Sequence, residues 1–117
     1  MPHLRLDVSE NAVAGVDMNF LLAKLVRLMS SFDTVDSASV KAYFQVYQSY
    51  KTGEGAPPGF VHLTASVLSG RPLELRKQWS QAFADLLQKE FAKSLGTKQA
   101  KLTVEIREMD AETYFKG

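Results

Sequence analysis

Residues 3–32 read HLRLDVSENAVAGVDMNFLLAKLVRLMSSF, and residues 62–91 read HLTASVLSGRPLELRKQWSQAFADLLQKEF. Laid over one another at an offset of 59, His3-Leu4 falls on His62-Leu63, Val8 on Val67, Phe20 on Trp79, Leu28 on Leu87 and Phe32 on Phe91, with no gap. Both stretches open on a period of two and change to helical spacing. A duplicated supersecondary unit explains this more simply than a set of unrelated elements.

In the first copy, Leu4, Leu6 and Val8 alternate with His3, Arg5 and Asp7, the signature of a strand with one apolar face. Met18, Leu21, Leu22, Leu25, Leu28, Met29 and Phe32 then form one helical stripe, with Asp17 placed to cap it. Val40, Ala42, Phe44 and Val46 alternate with Lys41, Tyr43, Gln45 and Tyr47 as a second strand. In the second copy, Val61, Leu63, Ala65 and Val67 alternate with His62, Thr64 and Ser66. A stripe of Leu75, Trp79, Ala82, Phe83, Leu86, Leu87, Phe91 and Leu95 follows, with Pro72 where a helix begins and Gly96 where one ends. Leu102, Val104 and Ile106 alternate with Lys101, Thr103, Glu105 and Arg107 to close the unit.

The expected fold is α/β (α+β): tandem βαβ repeats forming a four-stranded sheet with two helices on one face. One domain spans 1–117, with pseudo-repeats 1–51 and 60–109 and a Gly/Pro-rich linker, 52–59. Each βαβ unit should hold its own strands parallel; the order of the four strands does not follow from the pattern. Phe20, Phe32, Trp79, Phe83 and Phe91 are expected in the core. Two helices cover one sheet face, whereas sheets with parallel pairs are normally covered on both. The other face carries Tyr43, Tyr47, His62, Thr64 and Thr103, and is expected to meet the same face of other subunits. The alternative is a monomer with a wet sheet face.

A net charge of +1 gives no reason to expect a nucleic acid or a membrane surface as partner. The absence of cysteine excludes disulfides and thiol catalysis. The start, Met1-Pro2-His3-Leu4-Arg5, lacks the apolar core of a secretory leader, and no apolar run approaches a membrane span, so a cytoplasmic protein is expected.

Three residues stand out chemically. Pro2, once Met1 is removed, presents a secondary amine that can carry a proton near neutral pH; taken alone, a proline at this position is common. Arg71 lies in Ser69-Gly70-Arg71-Pro72-Leu73-Glu74, between a strand and a helix, where a guanidinium fork suits a carboxylate. Lys41 opens the second strand on its polar face. His3 and His62 hold matching positions in the repeat on the polar strand face, where a histidine can carry a proton, but they read rather as satisfied interface histidines. There is no zinc spacing, Gly-rich phosphate loop or nucleophile elbow, and two histidines without a nearby carboxylate or cysteine pattern make no metal site.

Met1-Pro2-His3, Phe60-Val61-His62-Leu63-Thr64, Gly70-Arg71-Pro72-Leu73-Glu74 with Arg76, Val104-Glu105-Ile106 and Phe115-Lys116 together resemble the 5-carboxymethyl-2-hydroxymuconate isomerases of the tautomerase superfamily, nearly end to end. The resemblance implies a cofactor-independent isomerase acting on a conjugated 2-hydroxy or 2-oxo dicarboxylate. It implies a homotrimer of βαβ repeats, with Pro2 as general base and Arg71 as carboxylate binder. Where the family has an arginine at the start of the second strand this chain has Lys41, which keeps the charge and loses the fork. The tail after Phe115 is shorter than the family's, which would open the site mouth. The alternative is a catalytically inactive trimer that binds ligands or serves a structural role.

Overall fold

The computed structural model describes residues 2–117. Its strands are β1 (His3–Ser9), β2 (Lys41–Tyr47), β3 (Phe60–Leu68) and β4 (Lys101–Met109). The helices are α1 (Met18–Ser30), α2 (Leu73–Glu90) and a short α3 (Ala92–Gly96). Single 3-10 turns at Glu10–Ala12 and Ser37–Ser39 complete the connections. Asp17 caps α1, its carboxylate accepting from the Phe20 amide at 3.1 Å.

The sheet order is β2-β1-β3-β4. β1 pairs with β2, and β3 with β4, in parallel, as the βαβ reading requires. The two units meet through an antiparallel β1–β3 pair at the centre, with Leu6 opposite Leu63, so the sheet is mixed. The apolar face, Leu4, Leu6, Val8, Val61, Leu63, Ala65 and Val67, is buried against Leu21, Leu25 and Met29 of α1 and Trp79, Phe83 and Leu87 of α2. Each of the Val, Leu, Met and Phe side chains among these, fully buried, contributes about 1.5–3 kcal/mol.

Two expectations are corrected. The apolar stripe of the second copy runs on to Leu95, but α2 ends at Glu90: Phe91 has φ −109° and ψ 25°, and a separate short helix, α3, starts at Ala92. Phe91 is buried there, so the break drives its ring into the core. Phe20 is 57% exposed, unlike its repeat-mate Trp79 at 3%. The sheet-facing row of α1 is Leu21, Leu25 and Met29, and Phe20 sits one residue, about 100°, off that row. Its ring instead lies under the Lys24 ammonium, 4.8 Å away.

Gly59 closes the linker where the backbone packs most tightly. A Cβ there would lie 2.6 Å from Ser9 Oγ and 2.7 Å from the Gln99 carbonyl, and would also strike Asn11 Oδ1. The same Ser9 hydroxyl accepts from the Phe60 amide at 2.9 Å and ties the linker's end to β1.

The pairing has one consequence for function. The N-terminal ends of β1 and β2 and the C-terminal ends of β3 and β4 lie at the same end of the sheet.

Candidate active site

Pro2, Lys41 and Arg71 come from distant parts of the chain, and the sheet brings all three to that end. Pro2 leads into β1 and is buried. Its carbonyl accepts from the Lys41 amide at 3.1 Å, so the first residues of β1 and β2 are locked together. Arg71 follows β3 by three residues, on the turn that enters α2.

Arg71 is held on every side. Its Nε donates to Thr34 Oγ1 at 3.3 Å and its Nη2 to the Thr34 carbonyl at 3.2 Å. Its Nη1 donates to the Leu68 carbonyl at 3.3 Å. Its Cζ stands 5.0 Å from the ring centre of Trp79, which stacks at 4.9 Å and 5° on Phe32. The turn beneath is fastened too. Arg76 Nε donates to the Arg71 carbonyl at 3.2 Å, Arg76 pairs with Glu108 at 3.6 Å, and Glu108 accepts from the Gly70 amide at 3.4 Å. Gly70 has φ +120°, a conformation open to glycine.

The partners of Arg71 are all neutral. A guanidinium has five N–H donors; the three contacts above leave one on each terminal nitrogen, enough for one carboxylate. Among the described residues the half-buried arginines are Arg71 and Arg76, and Arg76 has its acid in Glu108 while Arg71 has none.

Lys41 is exposed, with Nζ 3.3 Å from the Ser39 carbonyl and no carboxylate partner among the described residues. It lies beside His3 on the polar face. Burial, and then the Lys41 ammonium, push the His3 imidazole below its ordinary pKa. Its Nε2 is 3.0 Å from the Tyr114 hydroxyl. The short C-terminal tail thus folds back, through an Asp110–Thr113 turn, onto the Pro2 end of the sheet. His62, the repeat-mate of His3, lies on the same face and bonds Thr103 Oγ1 at 2.6 Å.

Sequence reading missed Thr34 and Tyr114. Thr34 sits in the Ser/Asp-rich connection 33–39, with nothing there to mark it, and Tyr114 lies beyond the last alternating strand. Trp79 was expected only as core, and its ring also forms the floor under Arg71. Among the described residues no three His, Asp or Glu side chains cluster as metal ligands would, and no helix is long and apolar enough to cross a membrane.

A mixed four-stranded sheet built from two βαβ units is the tautomerase-like α+β fold. The family model for 5-carboxymethyl-2-hydroxymuconate isomerase matches residues 2–117, and the chain belongs to that family. It is an isomerase. The chain is 25% identical to the 5-carboxymethyl-2-hydroxymuconate Delta-isomerase of Escherichia coli over 117 residues, covering 99% of this chain and 93% of the relative. The crystal structure of a 5-carboxymethyl-2-hydroxymuconate isomerase from Deinococcus radiodurans R1 superposes with a TM-score of 0.88 at 25% identity, covering 99% of this chain and 88% of that one. A fused 4-OT described as a wild-type symmetric trimer shares the fold, with a TM-score of 0.72 at 16% identity over 92% of this chain and 85% of that one.

Proposed function

We propose that this isomerase ketonises a conjugated 2-hydroxydienoate that carries at least two carboxylates, the class to which 5-carboxymethyl-2-hydroxymuconate belongs. Pro2, freed of Met1, is the base. Its nitrogen takes the proton of the C2 enol hydroxyl and returns it to C5. The O–H bond breaks, C2=O forms, the C2=C3 and C4=C5 double bonds become C3=C4, and a C5–H bond is made. No electron leaves and no net proton is consumed, so the protein's task is to place charge and move one proton. Arg71 and Lys41 hold carboxylates and draw electron density toward them as the dienolate develops.

The observation that carries this reading is the half-buried Arg71 guanidinium, gripped by neutral partners, with an unused donor on each terminal nitrogen, at the same end of the sheet as Pro2. Family membership favours the enzyme over the inactive alternative. The test is 2-hydroxymuconate in deuterated buffer with Met1-free protein. Loss of the dienol absorbance should accelerate with enzyme concentration, and deuterium should appear at C5. A rate equal to that of buffer alone refutes the proposal.

We also propose a homotrimer. The polar sheet face carries Tyr43, Arg5, Gln45 and Thr103 exposed, and among the described residues both long helices pack on the opposite face. Sedimentation equilibrium at micromolar concentration should give three times the 13.0 kDa chain mass, and a monomer mass would overturn this assembly.

A further inference from the structure

The connection from α1 to β2 contains an unfavourable residue for its backbone. Thr34 has φ +71°. It is the third residue of the Phe32–Val35 turn, closed by the Val35 amide on the Phe32 carbonyl at 3.3 Å. Glycine or asparagine is normal at such a place, because a β-branched side chain crowds the backbone there. Thr34 is exposed, so core packing does not account for the choice.

What Thr34 does touch is Arg71. Its hydroxyl and its carbonyl together take one edge of the guanidinium, at 3.3 and 3.2 Å. The carbonyl contact belongs to the turned-over backbone, and the hydroxyl contact to the side chain that makes that backbone costly. Phe32, at the head of the same turn, supports Trp79 beneath the guanidinium plane. One turn thus fixes both the edge and the floor of the Arg71 slot. Strained residues persist where the surroundings over-determine them, and they gather at working sites.

We propose that Thr34 is a positioning residue for the substrate carboxylate, acting through Arg71; this rests on the reading of Arg71 as carboxylate binder. Without the Thr34 hydroxyl, Arg71 keeps its charge and swings on fewer contacts, so the carboxylate is bound less well and the proton-transfer step is little changed.

The test uses the Met1-free enzyme and 2-hydroxymuconate as probe. Thr34→Ala should raise KM about fivefold, the loss expected for one hydrogen bond, with kcat nearly unchanged. Thr34→Ser, which retains the hydroxyl, should keep the parent KM. Thr34→Gly relieves the backbone, so its thermal midpoint should be at or above the parent's while its KM rises like that of Thr34→Ala; it also serves if the alanine variant folds poorly. In an Arg71→Ala background, the Thr34 substitutions should have no further effect on KM. An equal KM change with and without Arg71, or a parent-like KM for both Thr34→Ala and Thr34→Gly, overturns the Thr34 proposal and leaves Arg71 as read. A parent-like KM for Arg71→Ala alone overturns the reading of Arg71 itself, and the Thr34 proposal with it.

Discussion

Removal of Met1 should raise turnover of 2-hydroxymuconate by about 10²–10⁴-fold, the range that a positioned proton carrier supplies. With Met1 attached, the Pro2 nitrogen is a tertiary amide whose lone pair is delocalised into the carbonyl, and it neither holds nor accepts a proton at neutral pH. With Met1 gone it is a secondary amine. Two features of the fold act on that amine in the same direction. Pro2 is buried, which disfavours the charged ammonium form, and Lys41 and Arg71 stand at the same end of the sheet and repel it. Its proton affinity should therefore fall below that of an ordinary α-amino group. The sign follows: the base is free above this lowered pKa and protonated below it, so kcat/KM should climb with pH through that value and level off. The comparison needs three samples of verified intact mass: processed protein, protein with Met1 retained, and processed Pro2→Ala. The alanine variant keeps a terminal amine and loses the ring, so it should fall between the other two. Equal rates in the processed and Met1-retained samples would remove Pro2 from the mechanism.

The elements that support this chemistry were legible because each has a period. Alternation marked all four strands, and the offset between His3-Leu4 and His62-Leu63 marked two copies of one unit. The pairing of β1 with β3 was not legible, because it joins the copies and depends on how two apolar faces share the helices above them. The end of α2 was not legible either. Leu95 continues the stripe past Phe91, so periodicity alone runs through a break that burial of the Phe91 ring imposes. The site shows the same division. Pro2, Lys41 and Arg71 could be picked out from residue type and setting, yet their convergence depends on the antiparallel central pair, which turns the end of β3 toward the start of β1. Thr34 and Tyr114 had no periodic or motif signal, because their roles arise from contacts across 37 and 111 positions of chain.

Truncation of Arg71 should be the second largest effect. From the sequence alone, a turn arginine would be expected to make few contacts, so Arg71→Ala would leave stability within about 0.5 kcal/mol. The structure changes that expectation, since the side chain bridges the α1–β2 turn, the end of β3 and the ring of Trp79. Removing it leaves two backbone carbonyls without this donor and uncovers Trp79. Arg71→Ala should therefore cost about 1–2 kcal/mol of folding stability as well, an ordinary price for lost hydrogen bonds near the surface. The kinetic effect should be larger, because a charge-assisted contact to a carboxylate is worth about 1.5–3 kcal/mol, or roughly 10–150-fold in kcat/KM. Arg71→Lys separates the two contributions. Lysine keeps the positive charge but, lacking a planar fork, does not span the Thr34 hydroxyl, the Thr34 carbonyl and a ligand together. Its kcat/KM should lie between those of the parent and the alanine variant. Urea unfolding of each variant, run beside kinetics at a temperature where all are folded, decides the matter. A loss of kcat/KM that merely tracks the loss of stability would make Arg71 a fastening of the turn, whereas a deficit in the fully folded variants places it on the substrate.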